Sequence, residues 1–312
     1  MIRAFVFSFW PSFAVAALLA LPILKLLIGL KSRQTVSQFV PEHQKKQGTP
    51  TMGGLIILVG VVAGLVTIQL NGFANTLPYL LLFVGFAAVG FVDDFVVPRL
   101  FKNKRGLGWK QKLLMQIVLA AAVVYIADFK TPGPIALGVF LILFFSNAYN
   151  FADGLDALAG SIGIFLFLGL VVIARIVGNV AVPAVSFCLI GAFIPFLMLN
   201  APPAKVFMGD VGSLPIGASI GLMYMQIGTD TARIPVLVAA LGVLSVMMAA
   251  ELIPVPLQIA SVKLLKKKIP FKTPIHHGFE SMGWPETRIV WRFAMVQLIC
   301  TAAAITIMGL AQ

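Results

Sequence analysis

Charged side chains are scarce in this sequence of 312 residues, with 23 Lys or Arg and 11 Asp or Glu. They make up 11% of the chain, compared with about 25% in soluble domains, and 60% of the residues are hydrophobic. A soluble domain of this length could not bury so much apolar surface. Cysteine is also rare, because Cys188 and Cys300 are the only two, which excludes a disulfide-rich secreted scaffold. The sequence therefore predicts an all-α polytopic membrane protein.

Ten apolar runs are long enough to cross a membrane, since a helical crossing needs about 20 mostly apolar residues. The connecting loops are short, so the whole chain, 1–312, is predicted to be a single transmembrane domain of ten helices. The runs are 9–30, 51–70, 77–97, 111–128, 133–150, 159–177, 181–200, 213–228, 234–262 and 289–310.

Lysine and arginine are concentrated in the loops on one side of this bundle, at 31–50, 98–112, 201–212 and 263–292. Cytoplasmic loops carry an excess of these residues, so this side is assigned to the cytoplasm and both termini to the outside. The same rule accounts for the net charge of +12 without a nucleic-acid partner, since no basic segment has interleaved aromatic residues. The lipid bilayer is the expected surrounding.

Acidic residues and histidines show the same asymmetry, although orientation does not require them. Eight of the eleven carboxylates and all three histidines lie in the cytoplasmic loops or at their membrane edges. This asymmetry indicates one polar site on the cytoplasmic face. The residues are Glu42, His43, Asp93, Asp94, Asp153, Asp156, Asp210, His276, His277, Glu280 and Glu286.

Two acidic motifs predict a cation site. Asp93 and Asp94 are adjacent at the end of the third run, and neighbouring carboxylates need a cation, a proton or solvent to coexist. Magnesium binding or proton transfer is favoured over a solvated helix end. If the fifth run continues as a helix, polar side chains recur on one of its faces, where burial without a ligand would be costly. These are Asn147, Asn150, Asp153 and, less directly, Asp156.

Three further segments suit a phosphate group. Glycines flank Asp210, which lets backbone N–H groups approach an anion, although Gly-Asp alone is weak evidence. Lys46 and Thr51 border a glycine-containing turn that opens the second run, although an ordinary turn at a membrane end explains this segment about as well. His276 and His277 lie in the most basic loop without the spacing of a zinc site, so phosphate contact or proton handling is favoured.

This combination predicts phosphoryl transfer from a cytosolic donor to a membrane-resident acceptor, although the sequence has no P-loop motif. The ninth run supports a site within the membrane region. It contains Glu251 and is interrupted by Pro254 and Pro256, and an ionisable group beside helix breakers usually marks a functional cavity or a kink.

Five segments, in order along the chain, closely resemble the phospho-N-acetylmuramoyl-pentapeptide transferases of bacterial cell-wall synthesis. The resemblance implies that undecaprenyl phosphate attacks the β-phosphate of UDP-N-acetylmuramoyl-pentapeptide, that UMP leaves, and that lipid I remains in the membrane. It also implies Mg²⁺ as cofactor and a location in the bacterial inner (plasma) membrane, and it leaves a homodimer open. The segments are 45–54, 92–94, 147–154, 203–210 and 274–286.

The resemblance also implies roles for individual residues. Asp210 would contact the metal and take part in catalysis, and Asp93 and Asp94 would activate the lipid phosphate. His276 and His277 would also be catalytic and would lie beside the phosphates or the sugar. The predicted substrate-binding residues, with Phe207 stacking on uracil, are Lys46, Thr51, Asn147, Asn150, Asp153, Asp156 and Phe207. A groove for the prenyl chain would lie near the interrupted ninth run.

The sequence departs from the family pattern in two places. Gly278 stands where the family typically has a third consecutive histidine, so the contacts must come from the other two or the pocket is altered. Ala157 follows Asp156 where glycine is commoner, and we expect a mild effect that tightens a helix.

Two other functions compete with this one. A sister enzyme that transfers N-acetylglucosamine phosphate, or a related sugar phosphate, would share the acidic and Asn-rich motifs, but the segments around Thr51 and His276 favour the muramoyl-pentapeptide enzyme. A transporter would have internal repeats and polar residues deep in several runs, and neither feature is visible.

Overall fold

The computed structural model describes residues 2–30, 48–101 and 106–311, except for the side chain of Thr231, and every regular element in these ranges is helical. The α-helices are α1 (Ile2–Gly29), α2 (Gly54–Leu70), α3 (Leu77–Phe91), α4 (Val97–Leu100), α5 (Trp109–Ile126), α6 (Pro132–Ala152), α7 (Leu158–Ile176), α8 (Ala181–Asn200), α9 (Asp210–Ile227), α10 (Ile234–Leu244), α11 (Val246–Leu252), α12 (Pro254–Ala260), α13 (Ile275–Ser281) and α14 (Glu286–Leu310). A π-helical turn, Val92–Val96, joins α3 to α4, and a second, Ser261–Leu265, extends α12.

Eight helical segments of the described chain are long and apolar enough to cross a membrane, which confirms an all-α polytopic membrane protein. Two of the ten predicted spans are outside this set. One is α2, which is apolar but shorter, as is α10, the first part of the ninth predicted run. The other is α9, which carries polar and glycine residues and is almost completely buried among the other helices. A helix enclosed by protein does not need a lipid-compatible surface. The count of ten spans and the orientation stay predictions.

The ninth predicted run is a broken helix. Near Pro254 the irregularity is slight: α11 ends at Leu252 and α12 begins at Pro254, but Ile253 keeps a helical backbone and Val246–Leu265 forms one span. A second break, which the sequence did not predict, lies at Ser245 between α10 and α11. The Ser245 hydroxyl donates a hydrogen bond to Leu241 O in α10. A buried hydrogen bond also joins the Ser245 and Tyr224 hydroxyl oxygens, 2.8 Å apart, and ties this break to α9.

The central helix α9 packs mainly against α6 and α3. Glycines allow the close approach to α6. A Cβ at Gly217 would overlap the main chain of Phe145, and a Cβ at Gly221 would lie 2.6 Å from the main chain of Ile142. On the other side, a Cβ at Gly90 of α3 would overlap the main chain of Asp210. The end of α3 is therefore held directly against the beginning of α9, and this contact positions the acidic motifs.

Candidate active site

Three carboxylates from two distant segments meet at one end of the helix bundle. Asp93 and Asp94 lie on the π-helical turn after α3, and Asp210 is the first residue of α9. One oxygen of each carboxylate lies within 4.8 Å of the other two. Such a cluster needs positive charge to be stable, and three carboxylates suit a hard divalent cation such as Mg²⁺.

Lys112, in the first turn of α5, supplies positive charge to the cluster. Its Nζ lies 3.0 Å from Asp93 Oδ2 and also forms an ion pair with the carboxylate of Asp210. Sequence reasoning counted this lysine only as an orientation signal. Nothing in the local sequence separates it from its exposed neighbour Lys110, because both occur in a loop region rich in cations.

Hydrogen bonds hold each carboxylate of the cluster. The Asp210 backbone N–H donates to Asp94 Oδ2 at 2.8 Å, and the Leu107 N–H donates to Asp93 Oδ1. Asn150 donates from Nδ2 to Asp210 Oδ1 at 2.6 Å and to the Ser213 hydroxyl at 2.9 Å. The three acidic side chains are therefore fixed before any ligand arrives.

The polar residues after Leu143 follow the helical prediction only in part. Asn147 donates to Leu143 O at 2.8 Å and to the Gln116 side chain at 3.4 Å, so it faces α5. Asp153 caps the C-terminus of α6, which ends at Ala152. The prediction that Asp156 continues this helical face is wrong, because the chain turns after Asp153.

Asp153 adjoins the acidic cluster. Burial raises the pKa of its carboxyl group well above the usual value, and the charge of Asp210 raises it further. A hydrogen bond from the Gly209 main chain opposes this shift. Asp156 is buried and ties loops together: its carboxylate accepts the Ala204 N–H at 3.0 Å, and its own N–H donates to Glu286 at 2.6 Å.

Thr51 and Phe207 are brought to the cluster by a backbone pairing of two loops. The Phe207 N–H donates to Pro50 O at 2.9 Å, and the Gly53 N–H donates to Phe207 O at 2.7 Å. Gly209 follows with φ +70°, a left-handed conformation that favours glycine, and a Cβ there would lie 2.8 Å from Thr51 Oγ1. Lys46 lies outside the described residues.

The two histidines on α13 have different environments. His276 is buried and its Nδ1 lies 2.9 Å from Glu251 Oε2 on α11, while its Nε2 lies against Gly154 in the turn after α6. His277 is partly exposed and its Nδ1 lies 2.6 Å from Glu280 Oε2. The structure therefore brings His276 to the turn that carries Asp153.

The site lies within the segments by which known proteins resemble this chain. A family model described as glycosyl transferase family 4 matches residues 76–228, and a phospho-N-acetylmuramoyl-pentapeptide-transferase signature matches residues 46–58. A protein named phospho-N-acetylmuramoyl-pentapeptide-transferase from Staphylococcus carnosus is 35% identical, over 91% of this chain and 94% of the relative. One of the same name from Caldanaerobacter subterraneus is 35% identical, over 96% of this chain and 97% of the relative. A third, from Staphylococcus aureus, is 37% identical, over 91% of this chain and 96% of the relative.

The chain belongs to the phospho-N-acetylmuramoyl-pentapeptide transferase family. It is therefore a transferase, and the eight segments of its described residues that are long and apolar enough to cross a membrane make it a multi-pass membrane protein. The glycosyl transferase match covers both acidic segments, which the fold joins through the Gly90 contact.

Both departures from the transferase family pattern have a structural explanation. At Gly278, a Cβ would overlap the ring of Phe271, so aromatic carbon fills the space of a third histidine. Ala157 has φ +64° and precedes α7, so the expectation that it tightens a helix is wrong. The left-handed backbone at this position explains why glycine suits it better.

Proposed function

We propose that this protein transfers phospho-N-acetylmuramoyl-pentapeptide from its UDP derivative to undecaprenyl phosphate, producing lipid I and UMP in the bacterial inner (plasma) membrane. The observation that carries the proposal is the cluster of Asp93, Asp94 and Asp210 with Lys112 at one end of the helix bundle. Family membership supports the muramoyl-pentapeptide donor.

In the proposed reaction, an oxygen of the lipid phosphate forms a bond to the β-phosphorus of the donor. The bond from that phosphorus to the bridging oxygen breaks, and UMP leaves with the bridging oxygen. Mg²⁺, held by Asp210 together with Asp93 and Asp94, would neutralise charge on the diphosphate. Lys112 stabilises the same negative charge, and Asp93 and Asp94 orient the attacking lipid phosphate or hold its proton.

The proposed donor pocket surrounds this cluster. Phe207 stacks on the uracil ring, and Asn150 positions Asp210 through its 2.6 Å hydrogen bond. His276 and His277 contact the phosphates or the sugar. The buried Asp156 supports the pocket by fixing the loop at Ala204. The remaining members of the proposed pocket are Lys46, Thr51, Asn147 and Asp153.

The prenyl chain has a candidate site beside α10. An apolar cavity of about 700 Å³ lies between α6, α9 and α10, with Phe140, Tyr224 and Leu237 in its wall. It reaches Phe145, five residues before Asn150, which corresponds to roughly 7.5 Å along a helix. Neither Pro254 nor α12 lines this cavity, so the groove expected beside the interrupted ninth run stays a separate prediction.

The test is a transferase assay on purified protein that follows UMP release with undecaprenyl phosphate, with EDTA and UDP-N-acetylglucosamine as controls. We expect Mg²⁺-dependent release with the muramoyl-pentapeptide donor alone and none in Asp210→Asn. Release with UDP-N-acetylglucosamine instead would move the protein to the sister activity. Crosslinking of the solubilised protein tests separately for the homodimer that we propose as its assembly.

A further inference from the structure

Glu251 and His276 form a buried pair between two helices. Glu251 is 0% exposed in α11, and His276 is 1% exposed in α13. Glu251 lies within the segment Val246–Leu265, which is long and apolar enough to span a membrane. Ionisable groups in such segments are costly and usually functional, so this pair calls for a role.

The hydrogen bond between them fixes the hydrogen on the histidine ring. A carboxylate oxygen accepts hydrogen bonds, so a 2.9 Å contact with Glu251 Oε2 places the hydrogen on His276 Nδ1. In the neutral ring, the other nitrogen, Nε2, then carries the lone pair. Within the described chain, Nε2 has no hydrogen-bond partner.

The free nitrogen lies against the turn after α6 that carries Asp153. A Cβ at Gly154 would overlap His276 Nε2, so only a glycine lets the ring reach this turn. The preceding residue, Asp153, donates its N–H to Asn150 O at 3.3 Å, and Asn150 donates from Nδ2 to Asp210 Oδ1 at 2.6 Å. A continuous path of contacts therefore leads from Glu251 through His276 to the acidic cluster.

We infer that Glu251 is a positioning residue: its carboxylate holds the His276 ring so that Nε2 stays against the Gly154 turn, beside the place proposed for the diphosphate or sugar of the bound donor. This inference rests on the proposed function. Glu251 acts through His276, because its Oε2 lies 2.9 Å from His276 Nδ1.

Three variants test this role in the full-length protein. Glu251→Leu removes the acceptor, while Glu251→Gln keeps an oxygen that can accept from Nδ1. The matched control is Gln297→Leu, because Gln297 is also completely buried with an unpartnered oxygen, and it donates to Leu244 O. The readouts are kcat and KM for UMP release and the ¹⁵N NMR signals of selectively labelled histidine.

We expect Glu251→Leu to lower kcat at least about tenfold, as loss of an outer partner of a functional histidine does, with little change in KM. Glu251→Gln should recover most of kcat, and Gln297→Leu should keep it. The His276 signal, assigned with His276→Gln, should show hydrogen on Nδ1 in the wild type and lose this preference in Glu251→Leu.

Wild-type kcat in Glu251→Leu, or an equal loss in Gln297→Leu, would overturn the inference. Hydrogen on Nε2 in the wild type would also overturn it, and this measurement does not depend on whether a variant folds. Failure of the proposed function is distinguishable, because the wild-type protein would then release no UMP from the muramoyl donor while the NMR signal still reports the state of His276.

Discussion

Lys112 places a positive charge between Asp93 and Asp210, and neutral replacement should expose the repulsion within the cluster. We predict that Lys112→Met lowers the rate of UMP release by at least about a hundredfold, the scale for loss of a charge that stabilises a transition state. Lys110→Met is the matched control, since Lys110 lies on the same helix turn and is exposed. Equal rates in the two variants would show that Lys112 contributes only to the orientation of the protein in the membrane.

Gly278 and Phe271 should behave as a coupled pair. Gly278→His introduces a side chain where the Phe271 ring lies, and such overpacking typically costs about 1–3 kcal/mol. We predict a lower thermal unfolding midpoint for Gly278→His and a partial recovery when Phe271→Ala is added. Purely additive effects of the two changes would contradict this packing.

Ala157 offers a stabilising change. Its left-handed backbone costs a non-glycine residue roughly 1–2 kcal/mol. Glycine avoids this cost, although the greater flexibility that it gives the unfolded chain cancels part of the gain. Ala157→Gly should therefore raise the unfolding midpoint, whereas Ala159→Gly, within α7, should lower it. A lower midpoint for Ala157→Gly would mean that this conformation is not strained.

At the scale of elements, the contact between α3 and α9 aligns the two acidic segments. Gly90→Ala would push α3 away from the Asp210 main chain, whereas Gly85→Ala on the same helix would meet only the Leu119 side chain at 3.2 Å. We predict that Gly90→Ala loses most Mg²⁺-dependent UMP release and that Gly85→Ala retains it. Similar activities in both variants would show that the close approach is not needed.

The cavity beside α10 makes a prediction about the acceptor. Gly242 lines it and has open space around it, so Gly242→Phe should fill part of the cavity. The KM for undecaprenyl phosphate should rise, while a short-chain prenyl phosphate should be used as before. Gly309→Phe, at another open glycine outside the cavity lining, is the control. A rise in KM for both acceptors would contradict the placement of the prenyl chain in this cavity.

At the scale of the whole molecule, hydrophobic content was enough to predict the fold class, and asymmetry of the carboxylates predicted one site. Asp93, Asp94 and Asp210 do meet, although more than a hundred positions separate the pair from Asp210. Sequence reasoning missed Lys112, since topology alone explains a basic loop. It also misplaced Asp156, because only tertiary contacts with Ala204 and Glu286 show where the helix ends.

The burial of α9 has a consequence for biosynthesis. Its two main neighbours, α3 and α6, precede it in the chain, and α9 is flanked by both of them in the finished bundle. A nascent chain that has emerged only as far as α8 therefore has a groove where α9 belongs, and Asp93 and Asp94 have no partner from Asp210. Since helices first enter the bilayer and then associate, the catalytic end assembles only after α9 arrives. Translation must pass two thirds of the chain before this enzyme can acquire any activity.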